Sequence, residues 1–509
     1  MPTKSLLELA RWKKDHELTI LLSLLKKEVA PSQRTFADIH LHKLDWARLL
    51  RLADHHRVVP LIYLQLKKSN DPAIPGPLLE SLQVQYHRNT LRMLLLQAEA
   101  ARLTRLLMDH GIRVFILKGP ALAQQLYGDV SLRTSKDIDL LIAPDDMDEA
   151  EHWIREAGYE SKSGETRVLG SWKWKDHHTS FLHPQKRVEV ELHWRLHPDA
   201  GGEPSFDELW DRRQFSESAG ASRGGQSASA DSTAAMAAST YTLGGEHQFL
   251  YLSAHGARHG WFRLRWLVDI DRLTACDVDW EALLLLLRRY GGLPVGGQAW
   301  KLAAALLGTP IPEPMRPISE TRQAHRLALS ALAFMQASVP APHPVASGPG
   351  ANGTAASELS QSIALTQPVE TAPSDGGASV GGAAAGDAFG EAALHDVSDA
   401  TGIAREVGSV TGDTVSTLNT AVSSLTMPVA SATAASSPAV AVATAVTPQP
   451  ISRAYLLSLK EPRHRLLYLI SRLFPSTGDP ILLPLPRKLH FLYIPLRPFL
   501  WLKRRFSKH

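Results

Sequence analysis

A chain of 509 residues with a net charge of +4 has room for several domains but lacks the basic excess expected of a nucleic-acid-binding protein. Its one cysteine, Cys276, excludes an internal disulfide and a Cys-based zinc site, and fits a reducing cytoplasm. Charges interrupt the first apolar residues as they would not in a signal peptide, and no apolar run reaches the ~18 residues needed to span a bilayer. The expectation is a soluble cytoplasmic protein.

Residues 5–110 read as helical, with apolar side chains recurring at three and four: Leu18, Leu22 and Leu25; Leu49, Leu52 and Ala53; Leu91, Leu94 and Leu95; Leu103, Leu106 and Leu107. Pro31, Pro60, Pro72, Pro75 and Pro77 divide the region into segments. His55 and His56 read as a surface or interdomain pair, since they match no ligand spacing. A helix over about 84–110 leads into the stretch that organises the chain.

That stretch, 111–142, opens with a strand-length apolar run from Val114 to Leu117. Lys118-Gly119-Pro120 turns the chain into a short helix, with Pro120 at its first position and Gly128 just past its end. A second apolar run, 138–142, carries Asp137 and Asp139 at its entry. Side chains two apart on a strand point the same way, so both carboxylates share a face. Their mutual repulsion is relieved by a hard divalent cation such as Mg²⁺, which takes oxygen ligands and leaves positions open for phosphate. The Lys118-Gly119 turn sits at a helix N-terminus, where free N–H groups attract anions. Together these features point to phosphoryl or nucleotidyl transfer.

Downstream, Asp145 is the expected N-cap of a helix, with Asp148 near its positive end and Gly158 closing it. The segment 187–198 alternates, with Val188, Val190 and Leu192 on one face and Glu189, Glu191 and His193 on the other. An antiparallel pairing with the Asp137–Asp139 strand would bring a third carboxylate to the pair, from either Glu191 or Glu189. Residues 216–240, rich in Ser, Ala and Gly, read as a flexible insert. Order resumes in a helical segment where His255 and His259, four apart, share a face; contact with nucleotide or substrate, a structural role and metal binding are the competing readings. The run 283–287 is core. Residues 338–450 form a long Ala, Ser, Thr, Val, Gly and Pro tract expected to be disordered, with a weak helix at 391–407. The tail from Ile451 is apolar, aromatic and basic, which suits either an interfacial membrane segment or a segment docked on the helical domain.

The pattern KG-x6-LYG-x4-R-x3-DIDLL, over Lys118 to Leu141, resembles the bacterial nucleotidyltransferase-like proteins of the DNA polymerase beta superfamily. That superfamily normally has Gly-Ser at the turn, and this subgroup tends to have Lys-Gly, as here. Glu191-Leu192-His193-Trp194, the His255-x3-His259 pair followed by Asp269-Ile270, the DWEALLLLLRRYGG run and the Pro-Leu-Pro…Leu-Arg-Pro tail are also similar to the family. The resemblance implies an α+β fold, a small mixed β-sheet core flanked by N- and C-terminal helical regions with long disordered insertions. The segments are 1–110 helical, 111–215 nucleotidyltransferase core, 216–240 insert, 241–337 helical, 338–450 insertion, and 451–509 docking on the helical domain.

The implied activity is metal-dependent transfer of NMP from an NTP to a hydroxyl acceptor, in the cytoplasm. Asp137, Asp139 and Glu191 would hold two Mg²⁺ ions, with Mn²⁺ as an alternative. Lys118, Gly119 and Arg133 would meet phosphate, with a loop-holding salt bridge as the other role for Arg133. His255 and His259 would contact substrate. NTP and an unidentified small-molecule or protein acceptor are the implied partners, with no nucleic acid and with peripheral membrane contact through 451–509 as an alternative to docking. A catalytically silent binding or regulatory module and a membrane-surface assembly factor are the rival readings.

Overall fold

The computed structural model describes residues 15–26, 44–162, 169–198, 202–216, 240–337, 451–475 and 478–506. The expected insert at 216–240 apart from its ends, the tract at 338–450 with its helix at 391–407, and Pro31 lie outside them. Among the described residues, no helix is long and apolar enough to cross a membrane.

The N-terminal region forms α1 (His16–Leu25), α2 (Trp46–His55), α3 (Val59–Ser69) and the long α4 (Gly76–Asp109). Asp15 and Asp45 cap α1 and α2 through their carboxylates. The buried line of α4 runs through Met93, Leu96, Ala100, Leu103 and Leu107. Leu91 and Leu94, expected on the apolar stripe, are exposed instead, because the helix faces solvent there and a three-four pattern alone does not say which stripe is covered. His56 is fully buried, its Nδ1 accepting from Leu264 N at 3.4 Å, so the pair is a junction between regions and not a surface feature.

The mixed α/β core follows: β1 (Val114–Ile116), α5 (Pro120–Tyr127), β2 (Asp137–Ile142), α6 (Met147–Glu156), β3 (Glu160–Ser161), α7 (Trp172–Lys175), β4 (His178–His183) and β5 (Val188–His193). The sheet order is β1-β2-β5-β4-β3. The β2–β5 pair is parallel, not antiparallel as expected; the other pairs of this sheet are antiparallel. The chain between them, with α6, β3 and β4, is long enough for the crossover a parallel pair needs. Ile138, Leu140 and Ile142 of β2 and Val188, Val190 and Leu192 of β5 pack with the buried line of α4 and with α6. Buried Glu99 pins α4 to the sheet, accepting from Tyr159 Oη at 2.9 Å and Lys186 Nζ at 2.9 Å. The α6 N-cap is Asp146, which makes no side-chain capping bond; Asp145, the expected cap, pairs with Lys173 Nζ at 2.6 Å.

After α8 (Phe206–Asp211) and the β6–β7 hairpin (Gln214–Ser216, Thr240–Thr242) come α9 (Gly245–Arg258), α10 (Leu264–Leu273), α11 (Trp280–Arg289), α12 (Leu293–Leu307), α13 (Arg316–Ser319) and α14 (Arg322–Ala337). These helices share one apolar cluster with α1 to α3, and Phe115, Leu117 and Leu141 of the core join it. The tail forms α15 (Arg453–Ser458), α16 (Pro462–Ser471), α17 (Gly478–Leu482) and α18 (Tyr493–Phe506). Tyr455 of α15 accepts from Gln298 Nε2 at 3.0 Å, and Lys175 Nζ donates to the carbonyl of Phe474 at 3.1 Å. Residues 478–506 close a small cluster of their own around Tyr493 and Leu500.

Candidate functional site

The apolar residues of β2 point at α4, so Asp137 and Asp139 alternate to the opposite face. The parallel register sets Asp139 beside Glu191 and Asp137 beside Glu189. Their surroundings separate the two glutamates. Glu191 lines a cavity of about 380 Å³ with both aspartates. Glu189 pairs with Lys162 Nζ at 2.8 Å and is not part of that lining.

Leu117 N donates to Asp139 O at 2.9 Å, which holds the turn after β1 against β2. Lys118 Nζ thereby lies 2.9 Å from Asp139 Oδ1. Gly119 has φ 72° and ψ −138°, and a Cβ there would stand 3.5 Å from Asp137 O. Positive φ is what glycine tolerates, so Gly119 shapes the turn while Lys118, not Gly119, lines the cavity.

On β5, His193 Nε2 lies 3.3 Å from Asp139 Oδ1 and 3.2 Å from Glu191 Oε2. His178 Nε2 is 3.8 Å from Glu191 Oε1, and His178 Nδ1 is 2.9 Å from His177 Nε2. Sequence reasoning passed over these three histidines as site residues. His193 had a signal, since it shares the strand parity of Glu191; His177 and His178 had none beyond adjacency.

Charge sorts the group. Burial and the Asp139 charge push the Asp137 carboxyl up to about 6. Burial pushes Asp139 upward too, but Lys118 and His193 outweigh it and hold it below the usual carboxylate range. Glu191 is likewise raised by burial, then carried well below that range by His193 and His178. Burial would lower His193, yet its contacts with Asp139 and Glu191 raise it. Burial and the neighbouring His193 bring His178 down to about 4.

The opposite wall is helical. It carries Tyr251, His255 and Arg258 of α9, then His259, Phe262 and Arg263, then Arg265 and Trp266 of α10, with Arg57 beside them. The His255 and His259 rings are 4.7 Å apart, and His259 stacks on Trp266 at 5.3 Å. Burial and Arg258 bring His259 down to about 3, and burial with Lys118 lowers His255. Gly256 between them allows Trp261 to pack under α9, since a Cβ there would lie 2.4 Å from that ring. Lys118 Nζ reaches within 5.7 Å of the Tyr251 ring centre, so the two walls meet at this lysine.

Arg133 also lines the cavity, but it is buried and bound to Asp269, with Nε to Oδ1 and Nη2 to Oδ2 both at 3.0 Å. Tyr127 Oη donates to the same carboxylate at 2.8 Å. Of the two expected roles, the salt bridge that holds the loop is formed, and it fastens the core to α10. Arg265 Nη1 donates to Thr134 O and to Thr134 Oγ1, securing the same loop.

The donors fit a divalent ion. Ligand atoms of Asp139, Glu191 and His193 lie within 4.8 Å of one another, as do those of His177, His178 and His193; Asp137, the third expected ligand, lines the same cavity but is in neither group. Both Asp139 oxygens and His193 Nδ1 are buried without a well-aligned hydrogen bond, although Lys118 stands beside Asp139. Carboxylate oxygens suit Mg²⁺ or Mn²⁺, and imidazole widens the choice toward transition metals.

Residues 42–308, more than half of the chain, match the model of a family described as an uncharacterised nucleotidyltransferase. The chain belongs to this family. The matched span takes in both walls of the cavity. No curated protein and no solved structure matches the chain.

Proposed function

We propose that the cavity transfers NMP from an NTP to an acceptor hydroxyl with a divalent ion held by Asp137, Asp139 and Glu191. The observation that carries this reading is the register that sets Glu191 beside Asp139 on the face shared with Asp137, with an arginine-rich wall across the cavity. When bound, the ion would neutralise phosphate charge and make the acceptor hydroxyl more acidic. The acceptor oxygen bonds to the α-phosphorus as the bond to the pyrophosphate oxygen breaks. Asp137, raised by burial and the Asp139 charge, is better matched to receive the hydroxyl proton than Glu191, which its histidines hold strongly acidic, and it gives up its hold on the ion as it does so. Arg258 and Arg263 provide positive charge for the triphosphate, and Lys118 exchanges Asp139 for phosphate as the nucleotide enters.

One observation favours a second reading. The Lys118 ammonium already sits against Asp139, where a built-in cation could replace a metal in a silent binding module. Incubation with α-labelled NTP, Mg²⁺ and candidate acceptors separates the two. Transfer of the α-label with release of pyrophosphate supports the enzyme. Nucleotide binding that is independent of metal, with no pyrophosphate released, supports the silent module.

A further inference from the structure

The apolar surface of this protein is unevenly distributed. Of the 21 large apolar side chains exposed among the described residues, 13 fall within residues 466–502. Charge is skewed to the same end. Residues 451–509 hold 12 of the chain's 55 Lys and Arg but 2 of its 51 Asp and Glu, a surplus of ten positive charges against +4 for the whole chain.

Helix α18 shows the pattern at close range. Tyr493 and Leu500 point inward with Leu496 packed against them, and Arg497 pairs with buried Asp479 at 2.6 Å. Ile494, Phe499 and Leu502 point outward, Phe499 being 69% exposed. A helix apolar on both faces needs an apolar environment on each, and the small cluster serves only one. The turn before it adds exposed Phe491 beside exposed Arg487 and Lys488. On α16, Leu466 and Leu469 are exposed between Arg463 and Arg472.

We infer that the surface of α16 to α18 docks on an anionic lipid bilayer, its aromatic and aliphatic side chains entering the headgroup region and its basic side chains meeting lipid phosphates. The charge decides the occupant: an apolar face edged by this many cations suits a negative surface better than a second copy of itself, which would bring like charge to like. Such a segment lies on the membrane and does not cross it, in keeping with the absence of a spanning helix among the described residues. The inference stands whether or not the cavity transfers nucleotides.

The test is flotation of the full chain with phosphatidylcholine vesicles and with vesicles also containing phosphatidylglycerol. The chain should float with the anionic vesicles, and added salt should weaken binding by screening. Each Lys or Arg near an anionic surface adds about fivefold to binding, so joint Arg487→Glu and Lys488→Glu substitution should weaken it at least about twentyfold. Joint Phe491→Ser and Phe499→Ser substitution should lower binding at least about tenfold even if the rings are only partly buried. All four positions are exposed, and an unchanged melting temperature confirms the fold of each variant. Equal binding to neutral vesicles, no flotation with either kind, or a dimer that keeps the protein off anionic vesicles would overturn the inference.

Discussion

The two walls of the cavity are made by different means. The strand wall is local: Asp137 and Asp139 lie on one strand, Glu191 and His193 on its parallel neighbour, and backbone pairing fixes their spacing. The helical wall is assembled at a distance, since α9 and α10 reach the core through tertiary contacts that include the buried Arg133–Asp269 pair. Strand geometry therefore fixes where negative charge can sit, whereas packing fixes where positive charge meets it. Damage to the first should abolish metal-dependent chemistry, and damage to the second should loosen the protein or weaken substrate binding.

The largest effect should come from the strand wall. Asp139→Asn keeps the shape of the side chain and should lower metal-dependent NMP transfer by at least about a hundredfold, more than the loss of a supporting partner around a metal, as read by pyrophosphate release. Asp139→Ala is a poorer probe, because it also removes the oxygen acceptor beside Lys118 and leaves a gap in a buried position. Next comes the seam between the walls. Arg133→Met leaves Asp269 buried with Tyr127 as a remaining donor, and should cost about 3 kcal/mol in chemical denaturation.

A third effect concerns pH. A proton on Asp137 must leave before the carboxylate can bind a cation, and that carboxyl is raised to about 6. Mg²⁺ affinity measured by calorimetry should therefore fall as pH drops below 6 and level off above it, a loss approaching about tenfold per pH unit. Affinity that is flat between pH 5 and about 7 would count against Asp137 as a ligand. The smallest effect is the control within the strand wall. Glu189→Gln removes an exposed pair with Lys162, worth no more than about 1 kcal/mol, and should leave turnover within about threefold.

The strand wall was largely legible in the sequence because a two-residue period and one turn suffice to describe it. Pro120 and Gly128 bound α5 where turn chemistry placed them, and the Asp137–Asp139 face follows from parity. Pairing direction was not legible: alternation looks the same in parallel and antiparallel strands, and only the crossover through α6 decides it. The choice between Glu191 and Glu189 needed tertiary context as well, since both share a face and the cavity lining, the histidines at Glu191 and Lys162 at Glu189 tell them apart. On the helical wall the four-residue spacing marked His255 and His259 as a pair. The arginines at 57, 258, 263 and 265 come from separate elements, and no local pattern connects them. Asp145 misled because a capping residue type does not guarantee a capping geometry, and here its carboxylate is pulled away by Lys173.

The most direct measurement is Mn²⁺ binding followed by electron paramagnetic resonance, with NTP present, for the parent chain and for Asp139→Asn, Glu191→Gln and Glu189→Gln. The parent and Glu189→Gln should bind the ion, while Asp139→Asn and Glu191→Gln should lose it. Binding by Asp139→Asn as tight as that of the parent would contradict the account.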